Sequence, residues 1–431
     1  MAFLFSMKPT FKETIHYLYQ RVPSFQQIGV RAYKPDLGNI IALLEGIGNP
    51  HHALKCIHVG GTNGKGSSSS MLASILTAAG YKTGLYTSPH LKSFTERIRV
   101  NGIPIPEKAV VDFVEKTKSL IEKIEPSFFE VTTAMAFDYF KQAETDINVI
   151  EVGLGGRLDS TNVIAPLVSL ITNIGHDHLD LLGPGLENVA KEKAGIIKTN
   201  TPVVISERQS FSSTIFNRVA KELHAPLIFA DELSKVNQNE GAVEFEFQKE
   251  AVRIYPDLKG LYQLKNIRGV LAVVDVLIQR GWKISHSDIK NGLEQVVKLS
   301  GLKGRWQQIG TSPEVICDTA HNPEGIIEVV NQLSHKKFKN LFWILGMVSD
   351  KDPKAVLELL PSYAHYYFCQ AKIQRALPAE ELMRAASFFG LKGLVVPDVN
   401  EALVAARAQA KEDDLILIGG STYVVAELNE I

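Results

Sequence analysis

The residues most able to do chemistry open with Gly60-Gly61-Thr62-Asn63-Gly64-Lys65-Gly66-Ser67, where four glycines and a lysine fall within seven residues. Glycines let successive backbone N–H groups turn toward one point, and no Cβ blocks a ligand's approach. Lys65 adds a movable cation and Ser67 a hydroxyl, so the stretch has the parts of a phosphate-binding loop. The pattern departs from G-x-x-x-x-G-K-S/T. Three residues separate Gly60 from Gly64, and Gly66 stands between Lys65 and Ser67. A tight strand-to-helix turn with a solvated lysine is the competing reading.

Three further polar residues sit where apolar runs end: Ser88, Glu151 and His178. Were their strands neighbours of the loop's strand, all three would face one crevice. Magnesium takes oxygen ligands and keeps waters and substrate phosphates in its shell. Ser88 and Glu151 suit that ion, and His178 is less typical of it. Ser88 reads equally well as a turn hydroxyl before Pro89. The triplet His176-Asp177-His178 has no further His or Cys at a spacing that would complete a zinc site. Downstream, Asp318 and His321 end another strand, while Asn322-Pro323 also reads as a helix cap and first turn. Arg305 offers a cation to a phosphate, or is a free surface arginine. Lys193 falls on a helix surface by spacing alone.

These residues need elements to hold them. The run Cys56 to Gly60 reads as a buried strand, and Met71, Leu72, Ile75, Leu76 and Ala79 recur at helical spacing after the loop. The loop then lies at a helix N-terminus, whose partial positive charge favours anions. Strands over 83–90, 146–156, 167–173 and 202–206 alternate with helices over 107–124, 128–140 and 186–197. Residues 96–106 form a turn-rich crossing, 242–255 a β-hairpin, and 262–280 and 285–297 helices. Residues 8–50 read as helices and loops, with a loop at 33–38. Residues 298–305 break the periodicity like a linker. Five more strands with helices between them follow, over 314–318, 340–345, 364–370, 393–396 and 414–418. Alternating strands and helices predict an α/β chain with mostly parallel sheets, divided into a larger domain 1–297 and a smaller domain 298–431.

Composition excludes several classes of function. The 431 residues are 45% hydrophobic and 22% charged, with a net charge of −1. Interspersed charge leaves no basic footprint for nucleic acid. No apolar run reaches membrane-spanning length, and the opening Met1 to Met7 lacks the basic start and cleavage site of a signal peptide. The 3 cysteines, Cys56, Cys317 and Cys369, are widely spaced. They read as buried thiols in a reducing cytoplasm rather than disulfides or metal ligands.

Taken together, Gly61 to Ser67, Thr87-Ser-Pro-His-Leu91, Phe129-Glu130, Glu151-Val-Gly-Leu-Gly-Gly-Arg-Leu-Asp159, Asp177-His178 with Leu182-Gly183, Glu192-Lys-Ala-Gly-Ile196, Gly304-Arg305 and Asp318-Thr-Ala-His-Asn-Pro323 resemble the folylpolyglutamate synthase and dihydrofolate synthase family of the Mur-ligase superfamily. The stretch from Glu151 to Asn162 is the most specific part. Gly419-Gly-Ser421 also resembles the family.

The resemblance implies an N-terminal phosphate-loop ATPase domain of Mur-ligase type and a smaller Rossmann-like C-terminal domain. It implies an ATP-dependent ligase that activates a pteroate or folate carboxylate as an acyl phosphate and traps it with L-glutamate. On that resemblance Asn63, Gly64, Lys65, Gly66, Ser67, Asn266, Arg305 and Asp318 hold ATP. Ser88, Glu151 and His178 bind Mg²⁺, with a second ion served by a carbamylated Lys193. His321 lines the same site and counts with Lys65 and Lys193 as catalytic. Phe128, Phe129, Glu130, Leu158, Asp159 and Ser160 meet the pterin-bearing substrate. A cytoplasmic monomer is expected. Two other readings are a cell-wall peptide ligase, against which only about 50 residues precede the loop, and a non-catalytic ATP-binding switch.

Overall fold

Short runs of branched apolar residues, each closed by glycine or a polar residue, become the strands of two separate, mostly parallel sheets. The computed structural model describes residues 9–22, 36–232, 236–239, 241–349 and 352–431. The strands are β1 (Cys56–Gly60), β2 (Thr83–Tyr86), β3 (Ile98–Val100), β4 (Ile103–Pro104), β5 (Ile147–Glu151), β6 (Val168–Ile171), β7 (Val203–Ile205) and β8 (Leu227–Phe229). They form an eight-stranded sheet in the order β4-β3-β2-β5-β1-β6-β7-β8. β1 is buried along its whole length and pairs in parallel with β5 on one side and β6 on the other. Its neighbours belong to opposite directions of the strand order, so β1 ends at a topological switch point, where open α/β sheets bind ligands. The register Val59↔Glu151 sets Glu151 beside the start of the glycine loop.

The helix Lys65–Ala78 begins directly at that loop. All of its residues from Ser67 to Leu76 are buried, because the sheet covers one face and the helix His286–Glu294 another. Gly292 makes the second contact possible: a Cβ there would lie 2.5 Å from Ile75 Cα. Ser74 donates its hydroxyl to the Gly292 carbonyl at 2.7 Å. The small serines after the loop therefore buy close helix packing.

A three-stranded antiparallel sheet, β9 (Asn237–Asn239), β10 (Ala242–Phe247) and β11 (Glu250–Ile254), contains the expected hairpin. The second large sheet holds β12 (Gln307–Thr311), β13 (Glu314–Cys317), β14 (Leu341–Leu345), β15 (His365–Phe368), β16 (Gly393–Val395) and β17 (Leu415–Gly419). Its order is β12-β13-β17-β14-β15-β16, with β12 alone antiparallel.

Several expectations change. The linker reading of 298–305 fails at its start, since Val296–Ser300 is a helix closed by Gly301 at φ 71°. Val296 and Ser300 are buried there, and burial overrides the weak local pattern. The crossing segment 96–106 contains the β3–β4 pair, and β8, β12 and the helix Ser210–Glu222 were not foreseen. Of the loop expected at 33–38, residues 33–35 lie outside the described residues, and a helix runs over Gly38–Gly46. Residues 1–7 also lie outside them. Cys56, Cys317 and Cys369 are free and buried. Among the described residues, no helix is long and apolar enough to cross a membrane.

The apolar clusters respect the two sheets. Three are built from residues before 303 and two from residues after 305, with only Leu91 crossing over.

Candidate active site

Between the sheets lies a cleft of about 490 Å³. Its floor is the glycine loop. Gly61 has φ 134°, and a Cβ there would fall 1.8 Å from Thr172 Oγ1; Gly64 has φ 86°, and a Cβ would fall 2.2 Å from Asn266 Oδ1. Both positions require glycine for conformation and for space. The loop is also tied to the strand beside it, Asn63 N–H donating to Asn173 Oδ1 at 2.9 Å and Thr172 Oγ1 donating to the Asn63 carbonyl at 2.5 Å. Lys65 Nζ folds back to donate to the Thr62 carbonyl at 2.9 Å. The open helix N-terminus and this ammonium together suit a polyphosphate.

Glu151 is buried at the end of β5, and its Oε2 accepts the Ser88 N–H at 3.0 Å. Burial raises its proton affinity, opposed by Lys65 and Arg305. A Cβ on Gly66 would sit 3.6 Å from both Glu151 Oε1 and Arg305 Nη2, so this glycine leaves the space between acid and guanidinium open. Among the described residues no cation pairs with Glu151 within 4.0 Å. A buried carboxylate beside a hydroxyl and a phosphate-binding loop fits a hard divalent cation. His178 stands on the loop after β6 in the left-handed conformation, φ 53°. Its Nε2 lies 3.7 Å from Asp177 Oδ1, while Asp177 Oδ2 lies 3.6 Å from His321 Nε2. Asp177 thus bridges the two histidines across the cleft, a part that sequence reading did not assign.

The second sheet contributes the opposite wall. Asp318 is buried and accepts from Tyr262 O–H at 2.7 Å, Trp306 N–H at 2.8 Å and Ala320 N–H at 2.8 Å. Tyr262 is a further residue not foreseen. Burial against Asp318 holds its hydroxyl protonated, its proton affinity far above normal. Arg305 Nη1 donates to Thr319 Oγ1. Asn322 caps the helix Pro323–Ser334, its Oδ1 accepting Gly325 N–H at 2.8 Å. It also exchanges two amide hydrogen bonds with Asn63, at 3.0 and 3.1 Å. The expected cap at Asn322 is therefore present, and the same side chain ties the two halves together. Asn266 donates to Gln263 Oε1 at 2.7 Å, and Gln263 donates to Ser67 Oγ at 3.2 Å.

The far end of the cleft is aromatic. Phe128 is buried and stacked on Tyr19 with centroids 4.9 Å apart. Arg97 lies 5.3 Å over the Phe128 ring and donates from Nε to His90 Nδ1 at 2.8 Å. This buried arginine was legible only as part of a crossing segment. Phe129 packs 6.0 Å from Tyr86. Glu130 closes a capping box with Ser127, accepting its N–H at 2.6 Å. Asp159 accepts Leu154 N–H at 2.8 Å and Thr161 N–H at 3.0 Å.

Every candidate site residue except one lines this cleft. The exception is Lys193, one layer behind the glycine loop. It is buried, not on the helix surface that spacing suggested, and its Nζ donates to the Gly61 carbonyl at 2.8 Å. Burial, with Lys65 nearby, pushes its pKa down to about 7.

The chain is similar to known proteins along most of its length. Residues 59–274 match the profile of the Mur ligase middle domain, and residues 304–422 that of the Mur ligase glutamate ligase domain. The dihydrofolate synthase/folylpolyglutamate synthase of Bacillus subtilis is 32% identical over 92% of this chain and 95% of its own. A probable bifunctional folylpolyglutamate synthase/dihydropteroate synthase of Haloferax volcanii is 35% identical over 91% of this chain, which spans only 48% of that longer protein. Among solved structures, Escherichia coli FolC in complex with DHPP and ADP superposes with a TM-score of 0.87 at 30% identity, covering 97% of this chain and 96% of that one. The Yersinia pestis bifunctional folylpolyglutamate synthase/dihydrofolate synthase, complexed with AMPPNP and Mn, gives 0.82 at 29% identity over 97% of each chain. The chain belongs to the folylpolyglutamate synthase/dihydrofolate synthase family of Mur ligases.

Proposed function

We propose that this chain is an ATP-dependent ligase joining the amine of L-glutamate to a carboxylate of dihydropteroate or a reduced folate. The observation that carries this reading is one cleft lined both by the glycine loop with Glu151 and by Asp318 with Arg305 from the second sheet. A carboxylate is a poor acyl donor. Transfer of the γ-phosphoryl group of ATP to its oxygen makes an acyl phosphate and ADP. The amine then attacks the acyl carbon, the C–O bond to phosphate breaks, and the amide and inorganic phosphate leave. Catalysis of such a sequence is mainly positioning and charge neutralisation.

The backbone of Asn63, Gly64 and Gly66, with Lys65 and Ser67, would hold the phosphates. Asn266, Arg305 and Asp318 would hold the nucleotide from across the cleft, and His321, paired with Asp177, would line the same chamber. Ser88, Glu151 and His178 would hold a magnesium ion, which when bound screens the phosphate charge. Lys193 is set up for carbamylation, since its amine is neutral in a large fraction of molecules near pH 7. The carbamate would give a second ion a carboxylate. The aromatic end, with Phe128, Phe129, Glu130, Leu158, Asp159 and Ser160, would receive the flat pterin. Arg97 stands there to meet an anionic group of the acceptor. In this reading the protein acts as a monomer in the cytoplasm.

The test is phosphate release by the purified chain. Release should require ATP, L-glutamate and a pteroate or folate acceptor together, and gel filtration should give a mass near 47.5 kDa. Nucleotide binding without acceptor-dependent release would refute the ligase and favour a switch protein.

A further inference from the structure

We propose that His58 is a positioning residue for acceptor recognition, acting through Thr161 to fix the carboxylate of Asp159 on the cleft wall. This deepens the ligase reading above and rests on it. His58 is the middle residue of β1 and has no exposed surface. Its Nε2 lies 2.9 Å from Thr161 Oγ1, 103 residues away in sequence. The threonine hydroxyl carries a single proton and donates it to Asp159 Oδ1. Its oxygen can therefore only accept from the imidazole, which fixes the tautomer with the proton on Nε2. His58 Nδ1 is then a bare acceptor, and it is buried without a hydrogen-bond partner.

A buried orphan nitrogen is destabilising, because its lost hydration is not replaced. An aliphatic side chain in the middle of an apolar strand would avoid that cost. The gain from having histidine here lies with its other nitrogen. Asp159 Oδ1 is committed to the Thr161 N–H and hydroxyl, and Oδ2 accepts Leu154 N–H at 2.8 Å. The Gly153 N–H also favours this carboxylate, and with its rotation locked Asp159 presents one fixed edge to the cleft that it lines. A fixed carboxylate acceptor suits the paired N–H groups on one edge of a flat heteroaromatic ring. Burial, with Lys198 nearby, holds the His58 pKa at about 3, so the relay keeps one proton arrangement across working pH.

The test uses the full-length enzyme and varies dihydropteroate and ATP separately. His58→Leu removes the donor and should raise the acceptor KM about tenfold while leaving the ATP KM unchanged. His58→Gln offers an N–H near the same place and should stay within about threefold of the parent. Thr161→Val breaks the relay at its middle, should match the leucine variant, and should add nothing when combined with it. If His58→Leu does not fold, Thr161→Val and His58→Gln decide alone. An unchanged acceptor KM in the folded variants, or an ATP KM rising in step with it, would overturn the relay. A parent enzyme with no acceptor-dependent phosphate release would instead overturn the ligase reading.

Discussion

Replacing Lys193 with methionine should change how stability depends on pH, and by an amount that can be worked out. The lysine is buried, and burial with Lys65 nearby brings its pKa from the ordinary 10.5 down to about 7. The unfolded chain therefore binds more protons than the folded one between those two pH values, and stability rises with pH across that window. At about 1.4 kcal/mol per unit, ionised Lys193 opposes folding by roughly 4–5 kcal/mol at and below pH 7. Raising the pH from 7 to 9 should recover about 2 kcal/mol of it. Methionine has no proton to gain, so Lys193→Met should be the more stable protein at pH 7, and the gap should narrow by about 2 kcal/mol by pH 9. The hydrogen bond to the Gly61 carbonyl is donated by either form of the amine, so its loss shifts the gap without changing its slope. Urea unfolding of both proteins at pH 6 to 9, without nucleotide and with CO₂ excluded, reads this double difference directly. A gap constant within about 0.5 kcal/mol over that range would refute the argument.

Lys65→Ala should lower kcat by roughly 10²–10³, the usual effect of losing one donor to developing charge; turnover within about threefold of the parent would remove its role. Asp318→Ala strips the acceptor from three donors, the Trp306 N–H among them buried, and should cost about 3 kcal/mol, seen as a Tm lower by roughly 6–12 °C in a thermal melt. Asn322→Asp keeps the helix cap but loses the amide donor to Asn63, so the ATP KM should rise a few-fold with Tm unchanged. Asn322→Ala should also lose about 1 kcal/mol of stability in the same melts. Gly64→Ala places a Cβ at φ 86° against Asn266, and nucleotide binding measured by calorimetry should weaken at least tenfold.

The glycine loop, Ser88 and Glu151 were legible because each closes an apolar run, and the run itself announces the strand that presents it. Lys193 was not legible in that way. Its spacing on the helix Leu186–Ala194 resembles that of a surface residue, and only contact with Gly61, 132 positions earlier, makes it a buried amine. Asp177 and Tyr262 escaped for the same reason, since their partners His321 and Asp318 belong to the other sheet. β12 was hidden by Gln307, Gln308, Gly310 and Thr311, which give little apolar alternation, and by the break in its register with β13 between Gln308 and Gly310. The linker reading erred because Val296 and Ser300 are held by packing rather than by helical propensity.

The seam between the two halves is built from side-chain amides, acids and ammonium groups. Besides Asn63 with Asn322, it includes Lys265 at 2.9 Å from Glu328, His176 at 2.6 Å from Glu324, and Lys92 on the Ala426 carbonyl. When such a seam parts, water can take over each broken contact, and almost no oily surface is bared. Swinging open should therefore meet little hydrophobic resistance, leaving the bound nucleotide as the principal clasp. Loss of the γ-phosphate would slacken that clasp, and the wetness of the joint would then favour product departure.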